Sequence, residues 1–286
     1  MNAYKETRDI LKKYNIVASK KLGQNFLIDD DVIDGIIFAS EVCDSDLVIE
    51  IGPGLGTLTS RLLESAAKVI AIELDTRMVS ILNDRFKYYD NFELINQDVL
   101  KVDLNKLIEE NKGGEIRRAK IVANLPYYIT TPIIMKLLED KLDIESITVM
   151  VQKEVADRLV DVPGGKNSGA ITYSINYYTN PKKIIEVPNT SFIPAPEVNS
   201  SVIKLDVLEK PSINVKDEKM LFKVIKLAFM QKRKTLLNGL SNGNLASKEE
   251  IEKMLSELGF DLRIRGEKLS LEDFALIADY AYEKFA

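Results

Sequence analysis

The chain has 286 residues, 45% of them hydrophobic and 29% charged, and a formal net charge of −5. That is long enough for one large domain or two ordinary ones with a buried core, and no apolar run approaches the roughly 18 residues that a membrane span needs. The absence of histidine excludes Ser-His-Asp and Cys-His catalysis along with the commonest zinc ligand, and the single cysteine, Cys43, excludes an internal disulfide framework and a cysteine metal cluster. A reducing cytoplasm is the expected compartment.

The N-terminal stretch MNAYKETRDILKKYNIVASKK reads as a polar amphipathic helix without the apolar core of a signal peptide. Short apolar runs then recur at 47–51, 69–74, 92–95, 120–123 and 147–152, separated by LGTLTSRLLES, TRMVSILNDRF, LNKLIEE and TPIIMKLLED, whose apolar residues repeat at helical spacing. Such alternation predicts an α/β fold with a parallel sheet, and the near-continuous Val/Ile/Leu strands agree with burial on both faces. Helical KEVADRLV and AITYSINYYT follow, then strands at 182–187 and 200–208 joined by the proline-punctuated PNTSFIPAPEVN. That makes seven strands. Beyond EKPS at 209–212 the pattern is wholly helical, at 217–231, 234–241, 247–258 and 270–284. The expected domains are therefore 1–208, α/β, and 209–286, all helical.

VIEIGPGLGTLTS sets Gly52, Gly54 and Gly56 between a strand and a helix. Glycine lets the backbone bend sharply and come close to a ligand. The G-x-G-x-G spacing differs from the G-x-G-x-x-G of dinucleotide sites, and Glu50 inside the preceding strand would repel a pyrophosphate. A cationic nucleoside, S-adenosylmethionine, suits it better. Glu73 ends the second strand, where an acid can accept both ribose hydroxyls, and Asp98 in NQDVL is placed to accept from an adenine amine. The fourth strand ends in Asn124-Leu125-Pro126-Tyr127. There Asn124 and a neighbouring carbonyl can accept the hydrogens of an exocyclic amine, Pro126 fixes the turn, and Tyr127 can stack on a base whose other face Phe192 would cover. Cys43 lacks a proline neighbour and reads as a small buried hydrophobe rather than a nucleophile.

These motifs, in this order, resemble the S-adenosylmethionine-dependent methyltransferases of adenine amines. KKLGQNFLID, SFIPAPEVNSSV, FMQKRKTLLNGL and EKLSLEDFALIA narrow the resemblance, over nearly the whole chain, to the KsgA-type small-subunit ribosomal RNA adenine dimethyltransferases. The resemblance implies a Rossmann-like seven-stranded methyltransferase sheet with a small C-terminal helical domain. It implies dimethylation of two adjacent adenines in a hairpin near the 3′ end of small-subunit ribosomal RNA, and a role in small-subunit assembly. It adds Asn25 and Leu27 to Gly52, Gly54, Glu73, Asp98 and Asn124 as cofactor contacts, with no metal. Large-subunit methyltransferases of the erythromycin-resistance type share part of the pattern but typically lack the basic QKRKTLLNGL segment. An assembly factor with vestigial activity is the other alternative; a nicotinamide dehydrogenase fits neither the glycine spacing nor the lack of histidine.

The acidic total argues against an RNA partner, but the distribution argues for one. Residues 1–24 hold six basic residues against two acidic, and residues 216–236 hold seven against two. Lys232, Arg233 and Lys234 are the candidate contacts to RNA phosphates. The chain departs from the family in Lys232, where a second arginine is frequent, and in Gly266, where alanine or proline is. No long exposed apolar stripe demands a second copy, so a monomer is expected.

Overall fold

The computed structural model describes residues 2–19, 22–231 and 234–285. The chain divides into two compact units, Met1–Ala156 with Pro181–Val207 and Asp157–Asn180 with Leu208–Ala286.

The first unit opens with α1 (Ala3–Lys13), a two-residue strand β1 (Phe26–Leu27) and α2 (Asp30–Ser40). Then strands alternate with helices: β2 (Asp46–Ile51), α3 (Thr57–Ser65), β3 (Lys68–Glu73), α4 (Thr76–Phe86), β4 (Phe92–Asn96), α5 (Leu104–Asn111), β5 (Arg118–Asn124), α6 (Thr130–Glu139), β6 (Ser146–Gln152). The helix α7 (Lys153–Leu159) and α8 (Ala170–Tyr178) precede β7 (Thr179–Val187), a second two-residue strand β8 (Phe192–Ile193), and β9 (Ser200–Val207). The seven long strands form one sheet in the order β4-β3-β2-β5-β6-β9-β7. Pairing is parallel from β4 through β6, whereas β9 runs antiparallel to β6. The five strands that alternate with helices are thus parallel, as that alternation predicts, and the sheet becomes mixed only at β9, which no α-helix connects to β7. All six residues of β2 are buried, which explains why this strand reads as an unbroken apolar run around Glu50.

Aspartates cap three helices of this unit. Asp29, Asp75 and Asp103 each accept a backbone N–H in the first turn of α2, α4 and α5. The helix α2 has no counterpart in the sequence reading. Its interior Gly35 hides the pattern; a Cβ there would lie 2.4 Å from Ile185 Cδ1, so a larger residue would make that side chain shift.

The second unit holds α8 with α9 (Glu218–Met230), α10 (Leu236–Asn242), α11 (Lys248–Glu257) and α12 (Leu271–Phe285). This unit takes in residues 157–180 as well as the chain from Leu208 onward. The reason is aromatic. Tyr173 and Tyr177 of α8 are buried in the helical core, and Tyr173 Oη donates to the Leu269 carbonyl at 2.6 Å. Burial pushes that phenol up to about 12. Among the described residues no helix is long and apolar enough to cross a membrane.

Candidate active site

The sheet order puts β2 beside β3 on one edge and β5 on the other, and the chain reverses its direction of winding between them. Loops at the carboxyl ends of strands on either side of such a reversal diverge and leave a crevice. Here the loops after β2, β3, β4 and β5, together with residues 22–27, line one cavity.

Of the residues that the sequence nominates, Asn25, Leu27, Gly52, Gly54, Glu73, Asp98, Asn124, Leu125, Pro126 and Tyr127 all line it. Phe192 does not. It is 3% exposed, paired with Leu27 across the β1–β8 ladder and packed in the core. The expectation that Phe192 covers one face of a bound base is therefore corrected: a ring committed to the core has no face to offer. Lys234 is exposed just before α10, and Lys232 and Arg233 lie outside the described residues.

The turn after β2 is built from left-handed glycines, with φ of +69° at Gly52, +59° at Gly54 and +81° at Gly56. Side chains disfavour that region, so glycine is required by backbone shape. Gly52 N donates to the Ile72 carbonyl at 2.9 Å, tying the turn to β3. Glu73 completes the frame: its carboxylate accepts Gly54 N at 3.2 Å and Asp75 N at 2.8 Å. Burial pushes the Glu73 carboxyl up, while these backbone hydrogen bonds pull it back.

Glu50 is the second buried acid lining the cavity, 2% exposed. Thr59 Oγ1 donates to its Oε2 at 2.6 Å. Burial pushes this carboxyl up to about 8, with the nearby charge of Glu73 adding to the rise and Thr59 and Arg85 opposing it. Burial thus biases Glu50 toward its protonated, neutral form, which the sequence does not show. Neither acid forms an ion pair among the described residues.

At the end of β5 the Asn124 side chain has no hydrogen-bond partner among the described residues. The Leu125 N–H donates to the Met150 carbonyl at 3.1 Å, which fixes the turn to β6. The Pro126 carbonyl accepts from Ile129 N at 3.2 Å and Thr130 Oγ1 at 3.1 Å, whereas the Leu125 carbonyl has no partner among the described residues. Tyr127 Oη shares a hydrogen bond of 2.6 Å with Ser200 Oγ of β9, which anchors the ring.

Two features of the cavity were not assigned a role from the sequence. Gln24 sits between Gly23 and Asn25, where it accepts from Ser19 N and donates to Asp75 Oδ2, both at 2.9 Å. It thereby fastens the N-terminal arm to the β3–α4 turn. Tyr128, the second tyrosine of NLPYY, lines the cavity while 52% exposed, and its ring lies against Gly23. The doubled tyrosine was its only signal.

A switch-point cavity framed by a glycine turn, a strand-end acid and Asn-Leu-Pro-Tyr defines a Rossmann-like methyltransferase. The profile described as ribosomal RNA adenine dimethylase matches residues 16–283. Two proteins named ribosomal RNA small subunit methyltransferase A are close relatives. That of Clostridium acetobutylicum is 50% identical, over 96% of this chain and 98% of its own length. That of Alkaliphilus oremlandii is 46% identical, over 98% and 97%. The crystal structure of a dimethyladenosine transferase from Plasmodium falciparum superposes with a TM-score of 0.72 at 28% identity, covering 88% of this chain and 95% of that one. The chain belongs to the ribosomal RNA adenine dimethylase family and is an enzyme of that family.

Proposed function

We propose that this enzyme transfers methyl groups from S-adenosylmethionine to the exocyclic amines of two adjacent adenines, in a hairpin near the 3′ end of small-subunit ribosomal RNA. It acts in the cytoplasm, as a monomer, during small-subunit assembly. The observation that carries this reading is a pair of acceptors without a partner among the described residues, the Asn124 side chain and the Leu125 carbonyl, on the cavity that Glu73 and the glycine turn also line.

The cavity chemistry fits the donor. Two buried carboxyls that form no ion pair among the described residues, Glu50 and Glu73, suit a ligand that carries positive charge without phosphate. Asn25, Leu27, Gly52 and Gly54 supply close contacts, Glu73 takes the ribose hydroxyls, and Asp98 takes the adenine amine. When bound, S-adenosylmethionine supplies an electrophilic methyl group on a good leaving group.

An adenine amine is a weak nucleophile because its lone pair is delocalised into the ring. The Asn124 amide oxygen and the Leu125 carbonyl accept its two hydrogens, which favours a pyramidal nitrogen with the lone pair aimed at the methyl group. The Pro126 carbonyl is excluded from this task because Ile129 and Thr130 already occupy it. Tyr127 stacks on the base, which is worth about 1–3 kcal/mol. Tyr128 takes the outer face in place of Phe192. The target leaves its own stack to enter the pocket. Alignment and charge placement supply the rate enhancement, and the product proton passes to water, so no histidine is needed.

RNA phosphates are held by the second unit, through Lys232, Arg233 and Lys234. Replacing all three by glutamate should weaken RNA binding and flatten its dependence on salt, by about one unit of slope per contact. The small-subunit substrate is supported by the name that the close relatives carry. The test is incubation with tritiated S-adenosylmethionine and unmethylated small or large subunits. Label in small-subunit RNA is expected. Label only in the large subunit would overturn the substrate, and cofactor binding without any label would leave an assembly factor.

A further inference from the structure

The methyl-donor turn is held from behind by a residue outside the cavity lining. Arg85 lies on the last turn of α4, mostly buried, with its guanidinium 5.0 Å from the Phe86 ring centre. One arm donates to the carbonyl of Leu55, between Gly54 and Gly56. The other donates to the carboxylate of Glu6 on α1, 79 residues away in sequence. The helix α1 is fastened to α4 a second time through Asp84, which accepts from Lys13 at 3.0 Å and from Tyr14.

From this geometry we infer that Arg85 is a positioning residue for the donor-binding turn, holding the Leu55 carbonyl with Glu6 of α1 as its counter-charge. The inference rests on the methyl-donor reading of the cavity. Three left-handed glycines in five residues leave the turn with little intrinsic stiffness. A planar guanidinium anchored at both ends fixes the direction of one of its carbonyls, and with it the peptide planes beside Gly54 and Gly56. Arginine can do this because its fork reaches two partners at once; lysine is a point charge and meets them less well. Glu6 is needed because a buried guanidinium without an anion is costly. The buried face of α1 is Ala3, Thr7 and Ile10, with Glu6 half-buried beside it, while Lys5, Arg8 and Lys12 face solvent. The basic N-terminal helix therefore serves the methyl donor through its inner edge, whatever its outer face binds.

The test compares wild type with R85M, R85K and E6Q, by calorimetric titration of S-adenosylmethionine and by steady-state kinetics. R85M should bind the donor about tenfold more weakly and raise the donor KM to match, with kcat at saturation and RNA affinity unchanged; E6Q should lose about threefold, and R85K should recover part of the loss. A residue that only held the fold together would not split donor KM from kcat in this way. A second readout needs no ligand: hydrogen exchange of the amides of residues 52–57 should speed up in R85M. Donor affinity and turn exchange within twofold of wild type in folded R85M would overturn the inference. If R85M does not fold, the same result in E6Q would. Failure of the wild type itself to bind S-adenosylmethionine would instead overturn the functional reading, and this inference with it.

Discussion

Thr59 on α3 donates a 2.6 Å hydrogen bond to the buried carboxyl of Glu50 on β2, an acid held at about 8 against an ordinary value of 4.5. The sign of the consequence for stability follows from linkage. Below pH 4.5 the folded and unfolded chains both carry the proton. Between that value and about 8 the unfolded chain releases it and the folded chain keeps it, so the folded state loses stability as pH rises; above about 8 the loss is complete. E50Q removes the titration. The stability of E50Q relative to wild type should grow with pH across this window, at up to about 1.4 kcal/mol per unit. Urea denaturation at three pH values between the two limits measures it, and parallel curves would mean that Glu50 is not held protonated.

The same acid makes donor binding a proton-linked event. A cation in the cavity favours the ionised forms of Glu50 and Glu73, so S-adenosylmethionine should release protons on binding at pH 7. S-adenosylhomocysteine, which lacks the sulfonium charge, should release fewer. Calorimetry in buffers of different ionisation enthalpy counts them. Equal counts for the two ligands would place the sulfonium away from both acids.

The three glycines of the turn should fail in different ways. A Cβ on Gly56 would stand 2.6 Å from Phe86 Cε2 and 2.9 Å from Leu82 Cδ2, at φ +81°. One on Gly54 would meet the Phe26 ring at an ordinary 3.6 Å, at φ +59°. G56A should therefore lose about 2–5 kcal/mol of stability through strain and overpacking together, and G54A about 1–2 kcal/mol from strain alone. G54A should lose donor affinity out of proportion to its stability, since Gly54 N faces Glu73. Thermal melts with and without donor separate the two effects.

Much of this site was legible in the sequence because its parts are local. The Glu50, Glu73 and Asn124 positions each end or interrupt an apolar run, and seven such runs mark seven strands. What was not legible depends on distant partners. Phe192 sits in a proline-rich stretch and reads as exposed, but the β1–β8 ladder joins it to a segment 165 residues earlier and buries it. The α2 pattern is interrupted by Gly35, which packs against Ile185 on β7. Tyr173 and Tyr177 look like an ordinary apolar helix face until the C-terminal helices supply its partner. The protonation of Glu50 is a property of burial, which a residue letter does not carry.

On the proposed mechanism, Asn124 and Tyr127 divide the turn after β5 between chemistry and anchoring. The Asn124 side chain has no partner among the described residues, so N124A should change stability by less than about 0.5 kcal/mol. It should cut turnover at least about 100-fold, by analogy with the loss of one preorganised polar group. Y127F keeps the ring and loses the bond to Ser200, leaving a buried hydroxyl unsatisfied, at about 1 kcal/mol of stability. Its turnover should fall far less than that of Y127A, which loses the stacking surface too. Methyl incorporation into small subunits, measured beside melting curves, ranks the three. An N124A protein with intact turnover would remove Asn124 from the mechanism.

Gly266 is held in place by packing. Its backbone is not left-handed, so glycine is not required by conformation. It is required by crowding: a Cβ there would lie 2.9 Å from the Cβ of Ala228 on α9 and 3.4 Å from its carbonyl oxygen. The carbonyl of Gly266 also accepts from Leu269 N, at 3.2 Å, so the chain cannot simply back away. G266A should therefore destabilise the helical unit by about 1–3 kcal/mol through overpacking. A228G opens the space on the facing helix, and the double variant G266A/A228G should recover part of the loss, with a coupling of about 0.5–3 kcal/mol. Additive losses in denaturant unfolding would show that the two positions do not meet, and would leave the glycine at 266 without a packing cause.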